Sequence, residues 1–132
     1  MSSPQTTLIA HRDLGVRRRI GHCLQQHDEA RVVRESVDGL TTCAIARLEL
    51  PFLVFVDLAL PHHCGWDSAR CVRHHIPTCR IVLLMEGPLS GDLMARRMGG
   101  IGGNVGTWNR EGLVTHLADF DDRRAPRARQ AA

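Results

Sequence analysis

Lysine and tyrosine are absent from this 132-residue chain, and all seventeen of its Lys-plus-Arg positions are arginine. Any mechanism that needs a lysine amine, as a Schiff base, a phosphate clamp or a general base, is therefore excluded. Long apolar runs are also missing. The longest, residues 52–56 and 81–85, are far too short to cross a bilayer. Residues 1–7 show no charged region leading into an apolar one, so no signal peptide is expected and the reading is a cytoplasmic protein. Five cysteines, an odd number without a CxxC pair, suit reduced thiols better than a disulfide framework. The net charge of +3 is too small to imply nucleic-acid binding by itself.

What is present is a globular composition. At 43% hydrophobic and 23% charged residues, the chain has enough apolar material for one domain with a real core. Eight histidines make its charge sensitive to acidification.

Five short apolar runs alternate with five helix-like patterns, without internal repeats. Strands are expected at 7–10, 30–36, 52–56, 81–85 and, weakly, 104–108. Helices are expected from Asp13 through Leu24, from Asp38 through Leu48, and over 66–75, 90–98 and 111–120. The run at 52–56 is continuously β-branched, aliphatic and aromatic, as in a strand buried on both faces of a parallel sheet. The alternation predicts a (βα)5 doubly wound, five-stranded parallel sheet over residues 1–120. Residues 121–132 lack an apolar period and read as a flexible Arg/Pro/Ala-rich tail or linker.

In an open α/β sheet, chemistry collects at the carboxyl ends of the strands. Those ends carry His11 and Arg12 after the first strand, Asp57 after the third, Met85 and Glu86 after the fourth, and Gly106 or Thr107 after the fifth. The ordinary reading of Asp57 is a helix or turn cap.

The stretch PFLVFVDLALP at 51–61, with Gly65 following, resembles the strand-Asp-x-x-x-Pro segment of the receiver domain of bacterial two-component response regulators. Residues 8–10, the helix around Val16 and the Asp38-Gly39 helix start extend the resemblance over 7–119, closest to receivers that carry helix-turn-helix output domains. It implies the flavodoxin-like receiver fold, a signalling role in a phosphorelay or in transcription regulation, and Asp57 as the phosphoacceptor position. It also implies protein partners, such as a histidine kinase or an output protein, and homodimerisation on a helical face.

The chain departs from that family's pattern around Asp57. Where the family places two Mg²⁺-holding acidic residues, this chain has His11 and Arg12; where it places Thr or Ser, Met85; where it places Lys, Thr107 or Gly106. Mg²⁺ takes oxygen donors in octahedral geometry, which His11 and Arg12 do not supply. Each lost electrostatic contact at such a site is worth about 2.7–4 kcal/mol. The expectation is therefore an atypical pseudo-receiver, with no cofactor and no catalytic cycle, in which Arg12 pairs with Asp57 and substitutes for the cation.

Two further groupings need weighing. His62, His63, Cys64, Cys71, His74, His75 and Cys79 put seven soft-metal ligands into eighteen residues, and Cys71 and His75 are spaced to share a helix face. A metal or redox sensor is the alternative this raises, and a solvated His-rich face is its ordinary reading. His11 with Asp57 and Asp13 is a second, smaller N/O set. The Gly-rich run 98–106 follows a helix and opens a strand, the reverse of a phosphate-cradling loop, and reads as a flexible turn. Arg17, Arg18 and Arg19 suit a solvated helix side, and Arg123, Arg124, Arg127 and Arg129 a linker; no helix-turn-helix follows, so sequence-specific DNA binding is not expected of this chain.

Overall fold

The structure, a computed structural model, describes residues 6–27, 32–86, 91–101 and 105–109. Its elements alternate as β1 (Thr6–Ala10), α1 (Leu14–His27), β2 (Val32–Ser36), α2 (Gly39–Glu49), β3 (Leu53–Asp57), α3 (Gly65–His75), β4 (Arg80–Met85), α4 (Gly91–Arg97) and β5 (Val105–Asn109). The five strands form one parallel sheet in the order β2-β1-β3-β4-β5. The expected helix at 111–120 and the tail at 121–132 lie outside the described residues. No helix among the described residues is long and apolar enough to cross a membrane.

Strand alternation divides the core into two layers. Leu8, Ala10, Val54, Val56, Ile81 and Leu83 pack with Ala46 of α2 and Trp66, Ala69 and Val72 of α3. Ile9, Leu53, Phe55, Val82 and Leu84 point the other way and pack with Val16, Ile20 and Leu24 of α1. Covering both faces explains why the β3 and β4 sequences are continuously apolar. Fully burying each such side chain contributes about 1.5–3 kcal/mol.

Local signals fix the helix ends. Asp38 caps α2, its Oδ1 accepting from the Thr41 N–H at 2.7 Å. Ile76, ahead of Pro77, ends α3. The first N–H groups of α2 reach across to the loop after β3: Gly39 N–H donates to Pro61 O at 3.0 Å and Leu40 N–H to His62 O at 3.1 Å. Ser68 Oγ donates to His63 O at 3.0 Å. These bonds hold His62 and His63 at φ values of 50° and 82°, a left-handed conformation costly for non-glycine residues. A Cβ on Gly39 would overlap His63 O, so only glycine lets α2 approach this loop.

The fifth strand requires a correction. The expected strand at 104–108 placed Gly106 or Thr107 at its carboxyl end, whereas β5 runs over Val105–Asn109, with Val105 opposite Ile81, Thr107 opposite Leu83 and Asn109 opposite Met85. Thr107 is thus exposed in mid-strand, and Gly106 lies opposite Val82. The Gly-rich approach to β5 carries no apolar period, so the ladder with β4, not a sequence pattern, sets its register.

Candidate functional site

The carboxyl ends of β1 and β3 are neighbours, and Asp57 is buried between them. Its Oδ1 accepts from the Ala59 N–H at 2.9 Å, closing a local turn, so the capping role expected of such an aspartate is realised by one oxygen. The other oxygen faces β1's end. Arg12 places its backbone N–H 3.4 Å and its Nε 3.6 Å from Asp57 Oδ2, and His11 Nε2 lies 3.8 Å away. The Arg12 guanidinium also contacts the Ala59 carbonyl through Nη1 at 3.4 Å and Glu86 Oε1 through Nη2 at 2.7 Å. One arginine therefore spans the mouth between the third and fourth strands.

His11 continues the β1–β2 ladder, its N–H donating to Ser36 O at 3.1 Å. Its Nδ1 accepts from the Asp13 N–H at 2.9 Å, which leaves Nε2 turned to Asp57. Burial is the main reason that His11 ionises below its usual range; Asp57 opposes this, Arg12 reinforces it, and Asp13 and Arg17 add smaller opposing and reinforcing effects. The neutral imidazole therefore leaves Arg12 as the fixed positive charge beside Asp57.

A cleft of about 260 Å³ opens over this pair, lined by Arg12, Asp57, Leu58, Ala59, Trp66, Leu84, Met85 and Glu86. Met85 sits on the wall of this cleft and Glu86 at its rim, while Thr107 does not line it. Trp66 gave no functional signal in the sequence; it is the second residue of α3, and its ring serves both the core and the cleft. Gly65 is required here: a Cβ would overlap the backbone of Asp57 and Leu58.

The His/Cys grouping does not converge. Among the described residues, no three His, Cys, Asp or Glu side chains stand together as a metal site, either there or around His11, Asp57 and Asp13. His62, His63, His74 and His75 are exposed, and the Cys64 thiol donates to Asp67 Oδ2 at 3.4 Å. The arginines of α3 were not anticipated either. Arg70 donates to Gly99 O at 2.7 Å and Arg73 to Ile101 O at 2.5 Å and Cys79 O at 2.7 Å, tying the turn after α4 to α3.

No protein-family model matches the sequence, and no curated protein sequence matches it. Solved structures do. The chemotaxis protein CheY4 of Vibrio cholerae superposes with a TM-score of 0.71 at 19% identity, covering 88% of this chain and 98% of that one. The signal receiver domain of a DNA-binding response regulator protein from Colwellia psychrerythraea 34H gives 0.76 at 14% identity, covering 92% and 98%. The chain has the receiver fold. The RcsB response regulator of Salmonella typhimurium, with a TM-score of 0.72 at 18% identity, is longer, and the receiver fold described here spans 58% of it. In this fold Asp57 occupies the last position of the central strand, flanked by the β1 and β4 ends.

Proposed function

We propose that this receiver-fold chain is a non-enzymatic signalling module that works by protein–protein interaction, its Asp57 neutralised by Arg12 in place of a bound cation. The observation that carries this reading is the Arg12 guanidinium held between Asp57 and Glu86. Mg²⁺ takes near-octahedral oxygen coordination. Among the described residues, Arg12 and Met85 line the cleft with Asp57, His11 stands beside it, and the Glu86 carboxylate at the rim is engaged by Arg12. That donor set does not fit Mg²⁺, and Met85 offers a phosphoryl oxygen no hydroxyl. Regulation then comes from partner binding, with a histidine kinase, an output protein or a second copy as the partner class that the resemblance implies. Coupling to a helix-turn-helix output would make the pathway transcriptional.

A phosphorelay receiver modified at Asp57 is the second reading. Its support is the open cleft and the 41% exposure of the Arg12 side chain, which leaves the guanidinium room to swing outward.

Amide NMR separates the two. Labelled protein titrated with Mg²⁺ and then beryllofluoride, a phosphoryl mimic that needs the cation, is expected to leave the amides of residues 57–60 unmoved. In Arg12→Asp, which adds a carboxylate to the same cleft, Mg²⁺ is expected to shift them. Saturable shifts in the wild type that reach Met85 and β5 would overturn the leading reading.

A further inference from the structure

The helices on the far side of β1 and β3 bring together two thiols that lie 28 positions apart in the chain, Cys43 and Cys71. Cys43 is in the middle of α2 and Cys71 in the middle of α3. Ala46 and Ala69, both fully buried, line the same core and let the two helices approach closely. Where α2 packs on α3, the Cys43 and Cys71 side chains stand close enough to interact. Cys43 is nearly sealed, at 7% exposure, whereas Cys71 is half-buried and reachable from solvent. The other thiols in this region point elsewhere: Cys64 to Asp67, Cys79 to the Arg80 carbonyl.

We propose that Cys43 and Cys71 form an oxidisable dithiol that closes into a disulfide between α2 and α3. The oxidant class is a peroxide. The Cys71 thiolate attacks hydrogen peroxide, breaking the O–O bond and giving Cys71 sulfenic acid and hydroxide. Cys43 sulfur then attacks the Cys71 sulfur, the S–O bond breaks, and the Cys43 proton leaves with the departing hydroxide as water. In sum, two thiols and one peroxide give one disulfide and two waters, the sulfurs losing two electrons and the peroxide gaining them. The order follows from the surroundings: burial, and then the neighbouring thiol, push Cys43 up to about 12, so the accessible Cys71 reacts first and Cys43 resolves it.

The bond would fasten α3 to α2, the helix whose N-terminus already holds the loop after Asp57 through Pro61 and His62. Oxidation therefore fixes the wall of the Asp57 cleft, which gives the module a second input independent of partner binding.

The test uses the full chain, reduced, exposed to hydrogen peroxide, alkylated and digested with trypsin without reductant. The expected product is peptide 35–47 joined to peptide 71–73, two hydrogens lighter than their sum and separated again by dithiothreitol. It should persist in Cys64→Ser and Cys79→Ser and disappear in Cys71→Ser and Cys43→Ala. Thermal melts should rise on oxidation of the wild type and stay unchanged in Cys71→Ser, a control that does not depend on how well Cys43→Ala folds. Cys71 recovered as sulfenic or sulfinic acid with Cys43 still alkylated, Cys71 linked to Cys64, or a disulfide between two chains would overturn the proposal.

Discussion

Removing Arg12 leaves Asp57 as a buried carboxylate without its fixed counter-charge, and the cost can be worked from the geometry. The Arg12 Nε to Asp57 Oδ2 distance is 3.6 Å. Two unit charges about 4 Å apart interact by about 4 kcal/mol at an effective dielectric of about 20. Two features reduce this. The Arg12 side chain is 41% exposed, and Glu86 at 2.7 Å shares its charge. Arg12→Ala is therefore expected to cost about 2 kcal/mol. That lies between the ~0.2–1 kcal/mol of exposed pairs and the ~3–5 kcal/mol of buried pairs broken at one partner. Asp57→Asn keeps an oxygen for the Ala59 N–H and removes the charge, so in that background Arg12→Ala should cost under about 0.5 kcal/mol. Urea unfolding of the four proteins in this cycle reads the coupling, about 1.5 kcal/mol, from the midpoints at constant m. Equal costs in both backgrounds would refute the reasoning, because Arg12 would then not be what neutralises Asp57. His11 supplies a second readout. Its folded-state ionisation is lowered, so as pH falls below about 6.5 the unfolded chain takes up the proton first and the native protein loses stability. With Arg12 gone, His11 protonates at higher pH and that loss shrinks, which an imidazole NMR titration follows directly.

Other outcomes follow from the surroundings of this pocket. Gly65→Ala drives a methyl group into the Asp57 and Leu58 backbone and should cost about 1–3 kcal/mol, seen as a lowered urea midpoint with shifted amides at 57–60. Thr7 is fully buried, and its hydroxyl has no hydrogen-bond partner among the described residues, so Thr7→Val should leave stability unchanged or raise it by up to about 1 kcal/mol. The Asp38 carboxyl ionises below its usual range because it accepts from Thr41, so its contribution is complete above that range and lost as pH falls through its lowered folded value. Asp38→Asn should therefore flatten the acid limb of the stability curve, measured by thermal melts below about pH 4.

The parts that were legible in the sequence share a physical cause. β3 and β4 are buried on both faces, so their runs are uninterrupted, and an aspartate ending such a run marks the strand's carboxyl edge. Strand adjacency then places His11 and Arg12 beside Asp57 without any need for side-chain detail. β5 was not legible in register, because Gly99, Gly100 and Gly106 interrupt the pattern that would have fixed which residue faces Met85. Trp66 and the Cys43–Cys71 pair stayed hidden for a different reason. Their positions depend on how α3 packs against the sheet and against α2, which no local period encodes.

The central claim, that Arg12 takes the place of a cation at Asp57, is tested most directly by phosphoryl transfer. The intact chain is incubated with Mg²⁺ and acetyl phosphate, and its mass is recorded at once under mild conditions. The account predicts no phosphoryl increment in the wild type. An increment that maps to Asp57 and vanishes in Asp57→Asn would contradict it.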